Sequence, residues 1–145
     1  MKKLLTLSAI ALMGMALISS CSKSSSSSPS YSMDATIAGK SFSGTNCTAT
    51  ISGASLAVDG GVFTSSPVYP YLTLGIFNYT GTGTYAIGGT SVNLGGVDSS
   101  ASVVLVSQYG TVTITSVSPN IVGTFSFTCS DSTKVSGGTF TAKIN

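Results

Sequence analysis

The acid–base and nucleophilic chemistry open to this 145-residue chain rests on a short inventory, because it contains no Arg, Glu, His or Trp. Without His, a serine nucleophile would need Lys or Asp as its base. Gly53-Ala-Ser55-Leu-Ala57 lacks the second glycine and the following helix of a nucleophile elbow. The one Ser-x-x-Lys spacing, Ser20 to Lys23, straddles a cysteine at which the chain is expected to be cut. Asp59, Asp98 and Asp131 sit in turn-like surroundings, where an Asp carboxylate ordinarily bonds its own backbone. Glycosidic chemistry needs two converging carboxylates, and calcium needs a cage of oxygens. Neither is supplied convincingly. Gly81-Thr-Gly83-Thr-Tyr85-Ala86 fits a dinucleotide-type Gly-x-Gly-x-x-Ala string, but a strand pattern follows where a helix is required, so it reads as a turn. The chain is therefore expected to be no enzyme and to carry no cofactor and no metal.

Cys21 is the exception. Lys2 and Lys3 precede an apolar run from Leu4 to Ile18, then Ser19 and Ser20 lead directly into it. A basic start, an apolar core too short for a spanning helix and a small-residue cleavage site read as a secretory signal. The cysteine placed there makes it resemble a bacterial lipoprotein signal, which implies cleavage after residue 20, lipidation of Cys21 and a lipid anchor in the outer membrane. Cys47 and Cys129 then remain as an even pair in an oxidising compartment. Bridged, they would close a long loop worth roughly 4 kcal/mol. Unbridged, they would act as small buried apolar residues. The bridge is the favoured expectation.

Beyond residue 20 the charges cancel: Lys23, Lys40, Lys134 and Lys143 stand against Asp34, Asp59, Asp98 and Asp131, and the formal +2 of the whole chain is Lys2 and Lys3. No basic patch exists to neutralise phosphates, so no nucleic-acid partner is expected. Residues 21–30, a serine tract after the cysteine, have nothing to bury and read as a tether that spans roughly 30 Å when extended.

Residues 31–145 must build the domain, about 115 residues and enough for one core. Their pattern has period two. Tyr31, Met33, Ala35 and Ile37 alternate with polar residues, and Gly39-Lys40 makes a turn. Gly60-Gly61 reads as a hairpin turn. Val103 to Val106 reads as a central strand covered on both faces. Ile121, Gly123, Phe125, Phe127 and Cys129 share one face. Nine or ten short strands and no helical period predict an all-β fold: an antiparallel meander forming a β-sandwich, with an up-and-down, lipocalin-like barrel as the alternative.

Met33-Asp-Ala-Thr-Ile-Ala-Gly-Lys40, Gly83-Thr-Tyr-Ala-Ile87, Gly110-Thr-Val-Thr-Ile114, Ile121-Val-Gly-Thr-Phe-Ser-Phe127 and Gly138-Thr-Phe140 follow one another along the chain. In this succession it resembles small lipoproteins of Bacteroidetes-type bacteria that carry a domain of unknown function. The resemblance implies an exported, membrane-anchored, all-β domain with no catalytic residues to carry over. Ser22-Lys-Ser-Ser-Ser has none of the acidic residues that often follow the cysteine in surface-exposed lipoproteins of such bacteria, which leaves the periplasmic and surface faces both open. Asp131-Ser132-Thr133 is similar to the O-glycosylation site of their exported proteins, though a plain turn explains it as well.

The remaining functional signal is the segment around Tyr69. One face carries Tyr69, Tyr71, Phe77 and Tyr79, and the other Leu72, Leu74 and Ile76. With the aliphatic face in the core, Tyr69, Tyr71 and Tyr79 would form an accessible aromatic platform. The expected role is non-enzymatic binding or structure, with an envelope protein or a glycan as partner. The alternative is a carrier of a small apolar ligand.

Overall fold

The computed structural model describes residues 30–64 and 67–145. The signal, the lipidation site Cys21 and nearly all of the tether lie outside the described residues. The described chain forms ten strands and no helix: β1 (Ser32–Ile37), β2 (Lys40–Gly44), β3 (Asn46–Ser52), β4 (Ser55–Phe63), β5 (Pro67–Ile76), β6 (Gly83–Gly88), β7 (Leu94–Ser100), β8 (Val103–Ser116), β9 (Ile121–Cys129) and β10 (Lys134–Ile144).

Seven of them, β3-β4-β5-β7-β8-β9-β10, pair in chain order and close into a ring. The meander is antiparallel until its seam, where β10 meets β3 in parallel through Lys143–Thr48 and Ile144–Ala49. The Asn145 N–H donates to the Ala49 carbonyl at 3.0 Å and extends that seam. The closed ring is the barrel form of the two expected architectures, not a pair of open sheets. It differs from a plain up-and-down barrel in three strands. The β1–β2 hairpin adds to the edge of β10, and β6 adds to β8.

The fourteen-residue β8 makes this possible by changing neighbours. Its first four residues pair β7, and from Tyr109 onward it pairs β6 instead. At the changeover Ser107 is buried, and its hydroxyl accepts the Gly95 N–H at 2.8 Å. That bond satisfies a backbone donor that would otherwise be buried without a partner.

The interior is filled. Leu56, Val58, Leu72, Leu74, Ile76, Val97, Val112, Ile114 and Ile121 are buried, joined by Phe125, Phe127 and Phe140 with neighbouring rings 6.2 Å apart. Opposite walls touch across the barrel: a Cβ added to Gly95 on β7 would lie 2.9 Å from the Phe127 ring of β9. Each Leu or Ile buried this way contributes about 1.5–3 kcal/mol.

Three local expectations are corrected. Gly60-Gly61 is no hairpin turn; it lies inside β4 at an irregularity in the pairing with β5, and Met33 packs where a Gly60 side chain would be. Val103–Val106 is no covered central strand. Val103, Val104 and Val106 are exposed, because this stretch of β8 pairs only β7. Asp59 and Asp98 are strand residues, and only Asp131 occupies a turn.

Candidate functional site

The β1–β2 hairpin stands over one end of the barrel. Ile37 pairs Lys40, and the two residues between, Ala38 (φ 49°) and Gly39 (φ 78°), both adopt positive φ. Such a turn matches the twist of a two-residue hairpin. The Ala38 N–H donates to the Lys134 carbonyl at 2.9 Å and pins the tip to β10. Facing it are Val62 at the end of β4 and Val68, Tyr69 and Pro70 at the start of β5. Val97 and Leu105 lie between them, from β7 and β8.

These elements enclose a half-open cavity of about 520 Å³. Its lining is mostly apolar, with Ile37 and Phe42 from the hairpin added to the residues above. Most of its hydroxyls are already committed to the protein. Ser43 Oγ donates to the Asp34 carboxylate at 2.6 Å, Ser99 Oγ to the Val103 carbonyl at 3.3 Å, and Thr133 Oγ1 to the Asp131 carboxylate at 2.9 Å. Lys40 is the one charged residue of the lining.

An aromatic strip continues from the mouth onto the outer face. The Tyr69 ring lies 5.7 Å from that of Tyr71, which lies 6.2 Å from Phe63. Tyr71 stands opposite Asp98 on β7. Partial burial pushes the Asp98 carboxyl up, and the neighbouring Tyr71 hydroxyl opposes this. Partial burial, then the Asp98 charge, pushes the Tyr71 hydroxyl up. Thr73 donates to Asp59 at 2.9 Å on the same face.

Of the residues singled out from sequence, Tyr69 and Tyr71 therefore come together, both half-buried, with Leu72, Leu74 and Ile76 on the core side as expected. Tyr79 does not join them. β5 ends at Ile76, and the Tyr79 N–H donates to the Ala54 carbonyl at the opposite end of the barrel. Its ring packs 6.1 Å from Tyr85, and its hydroxyl is buried with no partner among the described residues.

The expected bridge is also corrected: Cys47 and Cys129 are buried free thiols. Thr48 lies beside Lys143 and Thr128 beside Lys134. The two cysteines thus belong to opposite ends of β10, roughly 30 Å apart along the strand, whereas a bridge needs Cα atoms within about 7 Å. Both do face the core, and period-two reasoning reaches no further than that. Burial, and then the Asp59 charge, pushes the Cys47 thiol up to about 12; burial, and then Asp131, pushes Cys129 up to about 11. Neither is a nucleophile near neutrality.

Sequence reasoning missed the mouth itself. Lys40 read only as a turn residue and Leu105 only as part of a strand, and Val62, Val68 and Val97 carried no functional signal. Among the described residues, no group of three His, Cys, Asp or Glu could hold a metal ion. Compared with protein-family models, with curated proteins and with solved structures, the chain finds no match.

Proposed function

We propose that this protein is a non-enzymatic binding module that takes a small, largely apolar ligand at the mouth of its barrel. The observation that carries the proposal is the half-open apolar cavity of about 520 Å³ over Val97 and Leu105. Pockets for small ligands fall in the range of roughly 300–1,000 Å³, are mostly apolar and often occupy barrel mouths. The filled interior below argues for a ligand seated in the mouth, not one swallowed by the barrel. The test is to block the site. Val68 is 45% exposed at the rim, so Val68→Trp adds bulk there without crowding the core. The variant should melt within about 0.5 kcal/mol of the parent and lose binding of a neutral apolar fluorophore such as phenylnaphthylamine. Undiminished binding refutes the proposal.

The aromatic strip of Tyr69, Tyr71 and Phe63 supports a second proposal, a protein or glycan partner on the outer face. Neighbouring tilted rings beside a carboxylate supply both apolar area and a hydrogen-bond acceptor. Attachment of the module to the outer membrane through Cys21, and kinship with envelope lipoproteins, belong to the proposal too and rest on the leader sequence and the resemblance. Two signals suffice for stable anchoring, so Cys21→Ser should move the protein from the membrane pellet to the soluble fraction. A full-length mutant chain still in the pellet refutes the lipid anchor.

A further inference from the structure

We infer that the ligand of the mouth carries an anionic group, a carboxylate, sulfonate or phosphate on an apolar body, and that Lys40 reads it. This inference rests on the mouth being the binding site and adds the class of molecule it selects.

The argument turns on which polar groups in the mouth are uncommitted. Ser43, Ser99 and Thr133 each donate to another group of the protein, and of the groups left over, the Ser41 and Tyr69 hydroxyls are neutral while Lys40 is charged. Lys40 has no such bond: among the described residues neither a hydrogen bond nor an ion pair occupies its ammonium group. No carboxylate lines the cavity. Asp34 and Asp131 each already accept from a lining hydroxyl.

Beyond its first twenty residues the chain has only Lys23, Lys40, Lys134 and Lys143, and of these Lys40 lines the cavity. The backbone holds it there. The positive φ of Ala38 and Gly39 fixes Lys40 opposite Ile37, and the Ala38–Lys134 bond fixes the hairpin tip. Lys40 is exposed at the rim, and a bound amphipathic ligand would itself displace water there and strengthen the charge-assisted hydrogen bond. A neutral apolar molecule would leave that cation unused, whereas an amphipathic acid satisfies both features at once.

The experiment uses the full chain and two probes that differ by one group: anilinonaphthalene sulfonate and its uncharged parent, phenylnaphthylamine. The Val68→Trp chain serves as the blank, so that binding elsewhere on the chain is subtracted. Lys40→Met should weaken the sulfonate probe about fivefold and leave the parent compound unchanged. Lys40→Arg should restore the sulfonate affinity, since it returns the charge. The sulfonate loss should shrink as salt is raised. Equal effects of Lys40→Met on the two probes, or none on the sulfonate, overturn the inference while leaving the mouth as the site. If neither probe gives a signal above the blank, the mouth proposal itself fails and takes the inference with it.

Discussion

The two ends of the barrel are made from the same strands and solve their ends differently. Opposite the mouth, polar groups knit the strand ends together. Asn93 is buried; its Oδ1 accepts the Phe77 N–H at 2.8 Å and its Nδ2 donates to the Ala86 carbonyl at 2.9 Å. Ser91 donates to the same carbonyl, and the Tyr85 hydroxyl donates to Gly81 while accepting from the Thr80 N–H. At the mouth the hydroxyls bond within their own hairpin or turn, and the surfaces facing one another are apolar. A polar side chain that satisfies two strands at once closes an end, whereas polar groups satisfied locally leave a gap that apolar walls keep open.

The largest effect should come from the knitted end. Asn93→Ala leaves the Phe77 N–H without its partner, leaves the Ala86 carbonyl to Ser91 alone and empties a buried position, and should cost about 2 kcal/mol, read as a lowered denaturation midpoint with unchanged slope. A loss below about 0.5 kcal/mol would erase the contrast between the two ends. Tyr71→Ala, on the strip beside the mouth, should cost about 1 kcal/mol, well under the ~3–5 kcal/mol of a buried aromatic. A large drop in its thermal midpoint would make the ring structural and end its candidacy as a binding surface.

The smallest effect is in the acid limb. The N–H and hydroxyl of Thr133 hold the Asp131 carboxyl below the usual carboxylate value. A depressed folded value stabilises above the ordinary carboxylate range, and the benefit is lost as pH falls through that range and below it. Asp131→Ala should therefore lower the midpoint slightly at pH 7 and flatten its decline below about pH 4. Asp98 has the opposite sign, because its carboxyl is pushed up. Its contribution favours the fold at low pH and fades as pH rises through the folded value. An unaltered acid limb in the Asp131 variant would mean that the mouth turn is not held by that carboxylate.

Much of the architecture was legible along single strands. The alternation from Ile121 to Cys129 appears as alternating burial, and Leu72, Leu74 and Ile76 face the core. Period two is a property of the local backbone, so it survives whatever the fold does. What failed depended on partners distant in the chain. Gly60-Gly61 looks like a turn in isolation but lies under Met33, brought over β4 by the β1–β2 hairpin. Val103–Val106 looks covered because it is apolar throughout, yet its exposure follows from β9 pairing β8 only from Ser107 onward. Tyr79 has the parity of Tyr71, but β5 ends before it. The mouth was illegible for the same reason, since its walls are drawn from segments spread between Ile37 and Thr133 and meet only through ring closure.

That closure has a consequence for how the molecule comes into being. The seam joins β3 to β10, the third strand and the tenth, through two residue pairs and the Asn145 N–H. A chain emerging N-terminus first, from a ribosome or through a membrane pore, can zip β3 to β9 one hairpin after another, while the free edge of β3 waits. Open strand edges invite foreign strands. β10 thus acts as a latch, and the newborn barrel is most exposed to aggregation in the interval before it drops into place.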